Sequence, residues 1–183
     1  MRKVKILKEI ILIPSDQIHN MSNDGRSEKS AMVKFCADVN AKLKSSRGIE
    51  AIVYKDKLPN NLNDEVSFVN KHPNGVMLSI HSNAAGTKNT GHGVEGFYYS
   101  SDQFMKHVMT QLVNRVSHAE YLPVRGVYSY DELTMIGGIA PHAGLIELYF
   151  HDSDSDIAKY KQHYKDTVNE FAYTLFLLAT DRL

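Results

Sequence analysis

Apolar residues follow two alternating rhythms along this chain. Short continuous runs occur at residues 8–13, Ile49–Tyr54, Val76–Ile80, Val94–Tyr99, Gly126–Tyr130 and Ala143–Phe150. Runs of that length, bounded by turn-forming residues, read as buried strands. Between them, apolar positions recur every three or four residues, as on a helix with one buried face. Met32, Phe35, Cys36, Val39 and Leu43 mark the first such helix, which Ser27 caps and Gly48 ends. Leu62, Val66 and Val69 mark a short one over Asn60–Val69, and Phe104, Val108, Leu112 and Val116 another over 102–119. Ile157, Tyr160, Tyr164, Val168, Phe171, Leu175 and Leu178 predict a long closing helix capped by Asp152 or Ser153. Strands alternating with helices predict an α/β fold, a single layered domain with a twisted, mostly parallel central sheet flanked by helices. With no internal repeat, low-complexity tract or interdomain linker, the expectation is one domain over residues 1–183.

Composition removes several alternatives. Lys and Arg number 21 and Asp and Glu number 21, so no net charge favours nucleic acid or an anionic membrane. The single cysteine, Cys36, excludes an internal disulfide framework and falls in register with the first helix's apolar stripe, as a core thiol does. No apolar stretch approaches the roughly 20 residues of a membrane span. The start, Met1-Arg2-Lys3-Val4-Lys5, is basic, but Lys8 and Glu9 interrupt the apolar residues beyond it and no small-residue cleavage site is present. The expectation is synthesis in the cytoplasm without a signal peptide. Nothing in the composition sets the oligomeric state.

The chemistry is concentrated where apolar runs stop. Val76–Ile80 ends on His81, followed at once by Ser82-Asn83-Ala84-Ala85. In α/β sheets, ligands gather at the carboxyl ends of strands. The run Gly144–Phe150 carries Glu147 where the pattern asks for a hydrophobe, and a buried carboxylate without a partner is costly. The polar loop Ser15–Arg26 holds His19, and Glu28 sits in the first turn of the next helix. If the strands are parallel neighbours, His19, Glu28 and His81 meet at one sheet edge. Two histidines, a carboxylate and a water form a catalytic zinc set. Glu147 is then the general base, its pKa raised by burial. Singly, each residue has an ordinary reading: His19 as a solvated loop residue, Glu28 as an acid favoured by the helix dipole, His81 as a backbone-bonded histidine, Glu147 as a partner for an arginine such as Arg125. Their joint placement points to a metal. Asn83 orients the ligand loop, touches substrate or simply forms the turn. His92 reaches substrate or lies free on the surface. His142 and His151, flanking the Glu147 strand, are candidate oxyanion donors. Asp152, Asp154 and Asp156 lack the glycine and terminal glutamate of an EF-hand loop and read as acids at a helix start.

Several blocks, in order, resemble the zinc-dependent N-acetylmuramoyl-L-alanine amidases, in particular the catalytic domains of phage endolysins and Gram-positive cell-wall enzymes. Pro14-Ser15-Asp16-Gln17-Ile18-His19-Asn20 is similar to a first-ligand loop, Glu28 to the early-helix ligand, and Ser79-Ile80-His81-Ser82-Asn83-Ala84 to the strand-end histidine motif. Gly93-Val94-Glu95-Gly96, Arg125-Gly126-Val127 and Ala143–Asp152 resemble later blocks, the last carrying the catalytic glutamate. The family's widespread first motif sets its histidine directly after a proline-glycine turn, where this chain has Gln17; here the histidine comes two residues later. The resemblance implies one Zn²⁺ held by His19, Glu28 and His81, with Glu147 as base and Asn83 near the substrate. It implies peptidoglycan as substrate, cut between N-acetylmuramic acid and L-alanine by an endolysin or autolysin acting on the cell wall. The family's usual wall-binding domain has no counterpart in the sequence. Two other readings stand beside it: a zinc peptidase cutting within the stem peptide, and a non-catalytic wall-binding module on the same fold.

Overall fold

The computed structural model describes residues 8–54, 62–137, 139 and 141–183. The order of elements is β1 (Ile10–Pro14), α1 (Glu28–Arg47), β2 (Ile52–Val53), α2 (Leu62–Val69), β3 (Val76–Asn83), β4 (Val94–Tyr98), α3 (Gln103–Glu120), β5 (Val124–Ser129), α4 (Thr134–Gly137), β6 (His142–Phe150) and α5 (Asp154–Ala179). The strands form one sheet in the order β2-β1-β3-β6-β4-β5. All neighbouring pairs are parallel except β4 with β6. This is the predicted α/β layering with one antiparallel departure.

The caps explain where the helices begin. Ser27 accepts the Ser30 amide ahead of α1, and Gly48 ends that helix in the left-handed region at φ 68°. Of the two candidates for the last helix, Ser153 is the cap, accepting from the Asp156 amide. Strand alternation then divides the core. Ile10, Leu12, Leu78, Ile80, Ile146 and Leu148 belong to the main core with Phe35, Leu112 and Phe171 of the long helices. Ile11, Ile13, Met77 and Ala143 form a smaller core with Val69 of α2 and Met135 of α4. Ser79, His81 and Glu147 continue this second series, so the thinly covered face carries the polar chemistry. On the other face α3 lies close to the sheet: a Cβ at Gly96 would meet Met109 at 2.9 Å, and one at Gly144 at 2.5 Å. Cys36 is fully buried, as its register predicts.

Some boundaries differ from the sequence reading. The run Ile49–Tyr54 yields only Ile52–Val53 as strand, because the Ala51 amide bonds the Asn40 side chain instead of the ladder. β3 runs beyond Ile80 to Asn83, with an irregularity between His81 and Asn83. His81 therefore lies inside a strand, not at its last residue. α4 has four residues, too short to leave a periodic signal. The expected helix start at Asn60 lies outside the described residues.

Asp156 ties the end of β6 to the loop entering β4. Its buried Oδ2 accepts from the Gly93 amide at 2.9 Å and the Phe150 amide at 3.2 Å, while Oδ1 lies 3.1 Å from His92 Nδ1. Asp156→Ala strands these buried donors and is expected to cost about 2–4 kcal/mol of stability, read as a lowered urea midpoint with an unchanged slope.

Candidate active site

β1, β3 and β6 are consecutive parallel strands, so their carboxyl ends share one edge. In that register His81 stands opposite Glu147. The antiparallel β4 places Glu95 opposite Glu147 from the other side. Glu28, at the amino end of α1, completes the group: its Oε1 lies 2.9 Å from His81 Nδ1. Three carboxylates and one imidazole thus converge on a short stretch of sheet edge.

Glu28 is buried and well supplied with partners. Its Oε2 accepts from Asn20 Nδ2 at 3.0 Å, its Oε1 lies 3.3 Å from the Ser82 amide, and Ser15 also donates to it. Burial alone would raise its pKa, but the His81 contact, followed by Asn20 and Ser15, brings it below the ordinary carboxylate value. Burial alone would lower the His81 pKa, but Glu28 and the nearby Glu147 charge raise it. The other ring nitrogen, Nε2, lies 3.1 Å from Ser79 Oγ. Both shifts favour a charged pair, an ionised carboxylate against a protonated imidazole.

Glu147 has a different environment. It is half-buried, and among the described residues its Oε2 is enclosed without a hydrogen-bond partner. Burial pushes its pKa up to about 7; His81 opposes the rise, and Glu28 and Glu95 add to it. Arg125 does not relieve it, because that guanidinium is committed to Glu95 Oε2 at 2.8 Å. Asn83 donates to the other Glu95 oxygen. The structure thus joins Asn83 to a Glu95–Arg125 pair beside Glu147.

Beside His81 opens a cavity of about 390 Å³, lined among others by Gln17, Glu65, Ser79, Thr134 and Leu145. His19 lies apart from Glu28 and His81: it is exposed in the loop, while its neighbour Asn20 turns inward. His151 is buried, with Nδ1 2.9 Å from the Ser82 carbonyl oxygen and 4.0 Å from Glu28 Oε2. His142 is at the opposite end of β6, paired with Asp102 at the start of α3, because the strand begins there. His92 supports the Asp156 clamp. Sequence reasoning missed Ser15, Asn20 and Ser79. Glu95 carried the same signal as Glu147, an acid within an apolar run.

The N-acetylmuramoyl-L-alanine amidase family matches residues 16–174. The chain belongs to that family. Solved structures agree on the fold. The N-acetylmuramoyl-L-alanine amidase from Clostridium difficile 630 aligns at a TM-score of 0.82 and 20% identity, over 95% of this chain and 98% of that one. The amidase AmiC2 of Nostoc punctiforme gives 0.80 and 15% identity, over 93% and 96%. The catalytic domain of the CD27L endolysin targeting Clostridia Difficile gives 0.66 and 21%, over 96% and 98%. No match was found among curated proteins.

The donors of this amidase-family site decide how well it suits zinc. Glu28 and His81 supply a carboxylate oxygen and an imidazole nitrogen 2.9 Å apart, donor types that suit zinc, and Ser79 lies 3.1 Å from the ring's other nitrogen. Among the described residues, no third His, Cys, Asp or Glu stands with them as a ready-made set. Supplying His19 requires its side chain to turn in from solvent.

Glu147 is stored at a cost. Its folded pKa of about 7 exceeds the unfolded value, so folding takes up a proton as pH rises from about 4. The destabilisation grows with pH and is complete above about 7. In metal-free protein, Glu147→Gln is therefore expected to be more stable than the parent by about 1–3 kcal/mol at pH 8, with the difference vanishing near pH 4. Urea titrations at the two pH values read this directly.

Proposed function

We propose that this chain cleaves peptidoglycan at the amide joining the lactyl group of N-acetylmuramic acid to L-alanine, with Glu147 as general base. The observation that carries this reading is the Glu147 carboxyl, held near pH 7 with one oxygen free and in register with the Glu28–His81 pair. A base with that pKa takes a proton from water at neutral pH and can return it. As the water oxygen bonds to the carbonyl carbon, Glu147 accepts its proton. The C–N bond then breaks, and the proton passes to the departing nitrogen, leaving a lactyl carboxylate and a free L-alanine amine. Glu28 and His81 would hold zinc, with His19 turning in as third donor. Bound there, the metal would acidify a water towards about 7 and polarise the carbonyl. Asn83 and Glu95 hold Arg125 at the rim and so shape the approach to the base.

The direct test is end-group analysis of digested cell walls. New L-alanine amino termini without new reducing sugars are expected, and Glu147→Gln should lower the rate by about 10²–10⁴-fold. The rate should rise with pH through about 7, as the base loses its proton. Digests that release other amino termini, or none with zinc supplied, would sink the assignment.

Zinc dependence is tested by chelator competition, which needs no turnover. Glu28→Ala and His81→Ala should each weaken zinc binding at least about tenfold. His19→Ala should do the same if that side chain is the third ligand, and an unchanged affinity would remove it from the set.

A further inference from the structure

Beyond Glu147, the thinly covered face of the sheet continues onto β4 and β5. Phe97 lies opposite Leu145 of β6 and beside Tyr128 of β5. It shares the face of Glu95 and Glu147, two residues from Glu95 along β4. The Phe97 ring is 6.0 Å from Tyr128 and 6.2 Å from Tyr130. Tyr128 and Tyr130 are 47% and 45% exposed. The helix packed on these strands, α3, covers the opposite face, where Gly96 meets Met109 and Val113.

This aromatic strip is built, not merely exposed. Gly126 has φ +153°, and a Cβ there would meet the Tyr128 ring at 2.5 Å. The missing side chain lets that ring lie down over the strand. Its hydroxyl then donates to the Arg125 carbonyl at 2.7 Å, pinning the ring flat. Such rings give large rigid contact area at small entropic cost.

We infer that Phe97, Tyr128 and Tyr130 form a platform for the pyranose rings of the glycan strand, with the cavity beside His81 left for the peptide. A pyranose has an apolar face of C–H groups and a rim of hydroxyls. Tyrosine matches it with an apolar ring and a wet polar tip. The platform lies on the strands next to β6, on the face that carries Glu147, so a sugar seated on it directs its ether-linked lactyl group towards Glu147. This orientation rests on the proposed amidase reading, in which sugar lies on one side of the scissile bond and peptide on the other.

The test uses a tetramer of N-acetylglucosamine, which carries no scissile amide, titrated into the full chain by calorimetry. Binding is expected, and Tyr128→Ala and Tyr130→Ala should each weaken it about tenfold. The chain contains no tryptophan, so Tyr130→Trp keeps an aromatic ring and adds a fluorescent reporter. Retained affinity with an emission change is expected there. Failure of the parent chain to bind the tetramer, or unchanged affinity in both alanine variants, overturns the platform. So does a dimer of the parent that both alanine variants abolish in sedimentation, since it assigns the face to a second copy. A separate kinetic comparison uses a disaccharide-peptide and a sugar-free lactyl-peptide. The alanine variants should raise the KM ratio between these substrates about tenfold. If neither substrate is cut by the parent chain, the amidase reading fails while the tetramer titration still judges the platform.

Discussion

The register of β3, β6 and β4 is the constraint on which the site depends. It sets His81 opposite Glu147, and Glu147 opposite Glu95. A slip by one residue would send all three side chains into the main core, where nothing could solvate them. The fully buried aliphatic residues of the opposite series forbid that slip, because the same shift would expose Leu78, Ile80 and Ile146. Apolar packing on one face thus fixes polar chemistry on the other. The Asp156 clamp secures the far end of β6 by bonding the Phe150 and Gly93 amides.

Within that frame, three carboxylates are treated in three ways. Glu28 is neutralised by His81 and fed by Asn20 and Ser15, so it stays ionised despite burial. Glu95 is held between Asn83 and Arg125. Glu147 receives no such support on Oε2, and its pKa rises. Neighbouring carboxylates on one sheet edge thus differ in protonation behaviour, the separation by which acid and base roles can be divided within a site. The aromatic strip beyond Glu95 extends the same face, and Phe97 pairs with Leu145, which also lines the cavity beside His81.

Much of this was legible in the sequence because it depends on local pattern. Short continuous apolar runs and period-three-to-four spacing identified the main strands and the long helices, and Ser27, Gly48 and Ser153 bound two of those helices as cap chemistry predicts. The β2 run was shortened by a side-chain contact between Ala51 and Asn40 that no local pattern encodes. α4 left no trace because one turn has no period. At the site, Glu28, His81 and Glu147 stood out as polar residues at strand ends, within apolar runs or at helix starts, and the fold brings them to one edge.

The sequence by itself determined the α/β layering, the family's motifs and which acids and histidines interrupt apolar runs, since these depend on residue type and spacing. Only tertiary structure decided partnership. It gave Arg125 to Glu95, turned Asn20 rather than His19 towards Glu28, set His142 at the wrong end of β6 and laid Tyr128 over Gly126. Those outcomes depend on side-chain direction and on contacts between distant segments, which the one-dimensional order of residues leaves free until the sheet register closes.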